Sequence, residues 1–556
     1  MSLLRLSPSN LLSAVTTTPP ESNRVCPRIH LKKKETSALT RQRLGFNTTF
    51  RFNTFQRQAL RCCLSMPVEG PTSSSQDRLL YFSRAYWVSR SQIAWNVGAE
   101  DGSCYLYTSK SARLSVTNDG NHGIEGYDMR IKLEVDNTGL SENVMEKFPH
   151  IRDYRAFKVP MTLDVKNLLK CQLAVAMYKS DGKWSTATGL QLPGVLDELF
   201  SYNGPLGAFF SAEAEVSACI YEDSSGGDPV QIVPLQEFNG VWSVNGPRSW
   251  EGCYYVYEVS VYHPSTLRIE KCIANDPYAR GLSADGRRTL FVDLDSDALK
   301  PEGWDTLADD KPALHSFSDI SIYELHIRDF SMVFYSVTDP TVHPDFRGGY
   351  LAFTSQDSAG VRHLKRLSSA GLTHVHLLPS FHFADVADEK DKWKNADNQM
   401  LESLPPDSDE QQAHITAIQN EDGYNWGYNP VLWGVPKGSY ASNPNGPCRT
   451  IEFRKMVQAL NCVGFRVVLD VVYNHLHGSG PFDENSVLDK IVPGYYLRLN
   501  KDGCIEHSTC VNNTASEHFM VERLILDDLL CWAVDYKAHI DVSSQKLNQL
   551  HIALLK

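Results

Sequence analysis

The chain is 556 residues long, 42% apolar and 22% charged, with 13 Cys. At about 150 residues per domain it needs three or four folding units, and its ordinary composition excludes a wholly disordered, collagen-like or coiled-coil protein. A net charge of −12 argues against nucleic acid as a partner, which calls for a basic face, and no run reaches the ~18–20 uncharged apolar residues of a membrane-spanning helix.

Charge is unevenly spread. Residues 1–65 hold 11 Lys/Arg against 2 Asp/Glu, a net of +9, with 15 Ser/Thr; the remainder carries −21. An acid-poor, Arg- and Ser/Thr-rich leader without a continuous apolar core reads as an organelle transit peptide. A disordered basic tail is the bland alternative, and composition does not separate mitochondrion from plastid. The ten cysteines beyond the leader contain no C-x-x-C pair, so neither a zinc site nor a thioredoxin-like motif is indicated and buried free thiols are expected. The closeness of Cys504 and Cys510 does not establish a bridge.

Residues 66–204 form a first β-rich domain. Cys104-Tyr105-Leu106-Tyr107 and Ile131-Lys132-Leu133-Glu134-Val135 alternate as half-buried antiparallel strands do. Trp87, Trp95 and Trp184 are read as core. A second β-rich segment, 205–310, has short strands at roughly ten-residue spacing, which predicts a β-sandwich. Its Trp250-Glu251-Gly252-Cys253-Tyr254-Tyr255-Val256-Tyr257 and Asp276-Pro277-Tyr278-Ala279-Arg280 resemble the small carbohydrate-binding module that precedes the barrel in starch-branching and debranching enzymes. Sugar binding and mere packing against the barrel both stay open for it.

From residue 318 the pattern changes. Ile320 to Ile327 reads as a strand, Ala359 to Leu367 as a helix, Thr373 to Leu378 as a strand and Ile451 to Leu460 as a helix. Phe465 to Tyr473 is a nearly continuous apolar strand, and Ser516 to Asp535 a long amphipathic helix. Such alternation means parallel βα units. The fold class expected is therefore multidomain: N-terminal β-sandwiches, then an incomplete (β/α)8 barrel over 318–537 with about three of the eight strands, and a divergent tail over 538–556.

Two motifs carry chemistry. In Asp470-Val471-Val472-Tyr473-Asn474-His475 a carboxylate lies inside an apolar strand, which is costly without a partner, and Asn and His follow where parallel barrels build active sites. In Tyr424-Asn425-Trp426-Gly427-Tyr428-Asn429-Pro430, followed by Pro436-Lys437-Gly438-Ser439-Tyr440, aromatic rings offer flat faces to a pyranose. Together they resemble the pullulanase (limit dextrinase) group of starch-debranching enzymes in the α-amylase superfamily, glycoside hydrolase family thirteen. The likeness runs from about residue 70 to Lys537 and includes Val492-Pro493-Gly494-Tyr495-Tyr496 and Cys510-Val511-Asn512-Asn513-Thr514-Ala515.

The resemblance implies hydrolysis of α-1,6 branch linkages in pullulan, amylopectin and limit dextrins, an α-glucan partner and a plastid location. It implies substrate-binding roles for Tyr428, Trp426, Asp470 and His475, with Asp470 hydrogen-bonded to a catalytic-site Arg. Glu324 and His326 are structural on this reading. No cofactor is required; calcium is possible through Asn474. The family's nucleophilic Asp follows a Gly-Phe-Arg run on the fourth strand. Here Leu529 to Lys537 leads up to that strand, but Ala538-His539-Ile540-Asp541 replaces the run, and Asp541 lacks an Arg two residues before it.

The expectation is thus a C-terminally truncated, catalytically incompetent chain with no catalytic residues of its own. An incomplete record of a full enzyme explains the same tail. The alternative function is a non-catalytic glucan-binding or regulatory fragment. No Gly-x-Gly-x-x-Gly follows a strand and no His-Glu-x-x-His occurs, which removes oxidoreductase and metalloprotease readings.

Overall fold

Seven strands from Ala85 onward alternate side chains in and out and curl into a ring. The computed structural model describes residues 4–6, 78–98, 102–117, 123–200, 215–238, 240–307, 311–332, 339–508 and 511–542, all within one compact unit. Apart from the backbone of Leu4–Leu6, the expected leader lies outside the described residues, as does Cys510. The ring comprises Ala85–Ser89, Gln92–Trp95, Gly102–Ser109, Met129–Val135, Arg155–Lys158, Gln172–Lys179 and Trp184–Gln191. This corrects the sandwich expected here. The first strand pairs in parallel with the last, Ala85 opposite Leu190, so the sheet closes and has no free edge. Trp87 and Trp95 fill its core, whereas Trp184 is only half-buried and packs edge-on against Tyr178.

The second β region has a sheet ordered Gln231–Pro234, Glu215–Tyr221, Tyr254–His263, Arg268–Ala274, with Thr289–Leu290 also paired to Tyr254–His263. A hairpin of Gln236–Phe238 and Val241–Gly246 belongs to another sheet, which Leu4–Leu6 joins in parallel. Tyr255 and Tyr257 are buried and both donate to Asp276 Oδ2, at 2.8 and 3.0 Å, so the chain folds two phenols inward without losing their hydrogen bonds.

The third region is a parallel sheet: β1 (Ile322–Leu325), β2 (His374–Leu377), β3 (Arg466–Val471) and β4 (His539–Val542), in that order. Helix α1 (Ala359–Ser369) connects β1 to β2, and α2 (Cys448–Val463) precedes β3. Ser358 caps α1 through its Oγ, which accepts from the Val361 amide at 3.1 Å, and Gly464 ends α2 in the left-handed conformation. Helix α3 (Phe519–Leu530) runs on into a π-helical turn, Cys531–Asp535, and is shorter than the 516–535 helix expected. Four parallel strands stand where three were expected. β4 lies in the segment read as a divergent tail, and its backbone pairs with β3 from Val468–His539 to Val471–Val542. His539–Val542 forms a strand without the motif that the resemblance leads one to expect there. Residues 543–556 lie outside the described residues.

The modules share a core. Arg280, 7% exposed, reaches Asp528 Oδ1 on α3 at 2.5 Å, and Tyr278 donates to Asp527 at 3.1 Å. Arg454 of α2 is buried and donates to the carbonyls of Leu294, Leu299 and Asp535. The expectation of buried thiols holds for Cys104, Cys171, Cys219, Cys272 and Cys531, while Cys462 and Cys504 are exposed. Among the described residues no helix is long and apolar enough to cross a membrane.

Removing one member of a buried ion pair strands the other charge. Arg280→Met is therefore expected to cost about 3–5 kcal/mol in urea unfolding at pH 8. Burial lifts the Asp528 carboxyl to about 6, and a protonated carboxyl needs no counter-ion, so the cost should shrink at pH 5. Arg280→Met with Asp528→Leu should recover most of the loss at pH 8; a double variant as unstable as the single one would contradict this account.

Candidate functional site

Three connections build the site. The first is the end of β3, where Asp470 is 5% exposed among Val467, Val468, Leu469 and Val471, all buried. The second is the segment leading into the strand Pro430–Pro436, which pairs with Phe381–Phe383. That segment turns at Gly427, where φ is +90° and an added Cβ would lie 2.7 Å from the Pro379 carbonyl. Only glycine fits both conditions. The third is the loop after β2, carrying Asp385.

The turn brings Tyr428 onto Asp470. Its hydroxyl donates to Oδ2 at 2.5 Å, and burial together with the neighbouring carboxylate pushes the phenol well above its usual range. His475 is buried, and its Nε2 donates to the Tyr428 carbonyl at 2.8 Å. Burial lowers its pKa, so the ring is neutral with Nδ1 as the acceptor. Tyr428, Asp470 and His475 thus form one connected group.

Trp426 does not join it. It is 58% exposed, and its indole N–H donates to the Tyr424 hydroxyl. Tyr424 is tilted against His326 at 5.5 Å between ring centres. His326 is buried, with Nε2 2.9 Å from the Asn425 carbonyl, a support for the aromatic turn. Glu324 is exposed and pairs with His376 at 3.4 Å.

Asn474 is exposed, and its carbonyl accepts the Thr514 amide at 3.1 Å. Among the described residues no group of three or more His, Cys, Asp or Glu could hold a metal ion. The backbone of Asp541 lies opposite Asp470 in the β3–β4 register; its side chain lies outside what is described.

Sequence reading missed the support beneath the site. Lys437 and Asp388 are a fully buried pair at 2.8 Å, and Arg449 lies 3.5 Å from Asp388. The cations hold the Asp388 carboxyl far below the ordinary range against the opposing effect of burial. The pair is 49 residues apart in sequence, and only the Lys-Gly step at 437–438 hinted at it. An added Cβ on Gly438 would fall 2.4 Å from Asp388 Oδ2, so the backbone there must stay bare.

The pullulanase N2 domain family matches residues 82–198, the closed ring. Pullulanase 1, chloroplastic, of Arabidopsis thaliana is 65% identical over 485 residues, 85% of this chain and 49% of that protein. The pullulanase of Klebsiella pneumoniae is 35% identical over 82% of this chain and 45% of its own. The crystal structure of PulA from Klebsiella oxytoca superposes with a TM-score of 0.76 at 33% identity, covering 84% of this chain and 48% of that one. A maltotriose complex of PulA from Klebsiella pneumoniae gives 0.74 at 34% identity. The chain is similar to these pullulanases over more than four-fifths of its own length, and it spans about half the length of the curated relatives it matches.

His382 sits under the site, fully enclosed, and burial with Lys437 nearby pulls its imidazole down to about 3. An unfolded chain protonates the same ring near 6.5. This share of stability is complete above about pH 6.5 and is lost as pH falls toward 3. His382→Leu removes the proton-binding difference. The stability gap between wild type and variant in urea is therefore expected to shrink by about 2 kcal/mol between pH 7 and pH 5; a gap independent of pH would refute the assignment.

Proposed function

We propose that this chain carries the N-terminal modules and first barrel units of a starch-debranching α-1,6-glucosidase, that its partner is an α-glucan such as amylopectin or limit dextrin, and that its place is the plastid stroma. The observation that carries the reading is the Tyr428–Asp470 contact, with a sugar-sized aromatic face left open beside a buried carboxylate. Sequence identity to a chloroplastic pullulanase and the composition of residues 1–65 support the location.

Each residue then has a task. Tyr428 is 36% exposed and its hydroxyl is committed to Asp470, so the ring is held in one orientation and its apolar face can stack on a pyranose. His475 holds the Tyr428 carbonyl through its Nε2–H, and with its Nδ1 enclosed it serves the sugar by keeping that ring in place. Trp426, projecting further out, offers a second stacking face along a glucan chain. Asp470 fits the role of orienting a cationic partner supplied by a neighbouring strand.

Hydrolysis with retention needs two carboxyl groups about 5–5.5 Å apart. The sequence after Lys537 holds no Gly-x-Arg-x-Asp run, and we assign the 556-residue chain glucan binding without turnover. Maltotriose titrated into the purified chain should bind by calorimetry. Tyr428→Ala and Trp426→Ala should each weaken binding about tenfold, near 1.4 kcal/mol; unchanged affinity in both would remove the stacking role. Incubation with pullulan should release no reducing ends above the background of a heat-denatured control, and sustained release would show that the chain is an enzyme by itself.

A further inference from the structure

The Lys437 ammonium has no freedom left. It is 1% exposed and pairs with Asp388 at 2.8 Å. It also donates to the carbonyls of Phe383 at 3.0 Å and Val386 at 2.8 Å. An ammonium has three N–H directions, and all three are used. The two carbonyls bracket Asp385.

Asp385 is one of five described non-glycine residues with positive φ, at +67°. A turn alone would be served better by glycine, which adopts this conformation freely. An L-residue held there by a fully enclosed clamp is a pattern associated with functional sites. The clamp leaves the Asp385 side chain about one-third exposed. Its carboxylate accepts from the Asn429 side-chain amide and lies 3.9 Å from His477 Nε2. Asn429 adjoins Tyr428, and His477 lies two residues beyond His475 with its amide on the Pro430 carbonyl at 2.9 Å. The Ala384 amide also reaches the Asn429 carbonyl, at 2.9 Å. The strained acid is therefore tied on both sides to the segments that carry the stacking tyrosine and the site histidine.

We propose that Asp385 is a sugar-binding carboxylate of this site, accepting hydrogen bonds from α-glucan hydroxyls, and that Lys437 is the positioning residue that holds it there. Charge-assisted bonds of this kind are shorter and stronger than neutral ones, and the partly exposed oxygens have room for a hydroxyl that a buried acid would not. The inference rests on the α-glucan reading of the site.

The test is calorimetric titration of maltotriose into the full chain, its Asp385→Asn, Asp385→Gly and Asn429→Ala variants, with urea unfolding of each. Asparagine keeps the shape and tolerates the backbone conformation, and glycine relaxes it, so both should fold with an unchanged or raised urea midpoint. The expected result is at least a tenfold loss of maltotriose affinity in both Asp385 variants, with Asn429→Ala within threefold of wild type. Asp385→Asn binding within threefold of wild type would overturn the assignment while leaving the glucan reading in place. A loss in Asn429→Ala equal to that in Asp385→Asn would reduce Asp385 to a loop tie and overturn it as well. Absence of maltotriose binding by the wild-type chain would sink both readings together.

Discussion

A carboxylate held inside a sheet sets the terms for everything around it. Asp470 lies in the most thoroughly buried strand of the parallel sheet, with Val467, Leu469 and Val471 each at 2% exposure or less. Keeping an ionised group there costs several kcal/mol unless it is paired or hydrogen-bonded. The Tyr428 hydroxyl offsets part of that cost at 2.5 Å, and the requirement propagates outward. It fixes the path of the turn at Gly427, and the Tyr428 carbonyl in turn fixes the His475 ring. One unfavourable burial thereby orders two connections whose side chains would otherwise be free to rotate.

The same logic operates one layer down with opposite charge. Lys437 cannot be desolvated alone, and Asp388 and two backbone carbonyls surround it. A buried pair of this kind is a poor contributor to net stability compared with apolar residues of equal size, but it is directional. Here the direction is toward the loop that carries Asp385. Stability comes instead from the shared apolar core, which runs without a break from Trp87 of the ring to Trp532 beside α3.

Local patterns in the sequence were enough for β1, β2, β3 and their helices, because an apolar run flanked by helical spacing has few other solutions. The Asp470 and Tyr428 motifs were legible for the same reason: a charge in an apolar strand and an aromatic turn are anomalies visible without coordinates. Closure of the first domain was not legible, since strands that make a sandwich or a ring alternate identically and only the long-range pairing of Ala85 with Leu190 decides. β4 was obscured because His539–Val542 forms a strand without the motif that marks it in the resembling family. Trp426 and Tyr428 are two residues apart, yet the turn sends one toward Tyr424 and the other toward Asp470. Spacing does not encode that divergence. The Lys437–Asp388 pair left only the Lys-Gly step at 437–438 as a hint, because Asp388 is not unusual in its own neighbourhood and lies 49 residues away.

Burial also grades across the sheet, and this bears on how binding and bond cleavage relate. β3 is enclosed on both faces, as parallel strands require, whereas on β1 Ile322 is 54% exposed and the Glu324 side chain 64%. The aromatic and imidazole groups of the site come from β3 and from the segments after β2, which pack against the enclosed part. Their positions depend on contacts already made among the described residues. A second carboxyl at the spacing that glycoside hydrolysis requires would have to come from a strand beyond β3, and none of the groups that orient Tyr428, His475 or Asp385 depends on one. On the proposed α-glucan reading, recognition of a sugar ring and cleavage of its linkage are therefore physically separable, the first resting on the enclosed centre of the sheet and the second on a further carboxyl that none of these contacts requires.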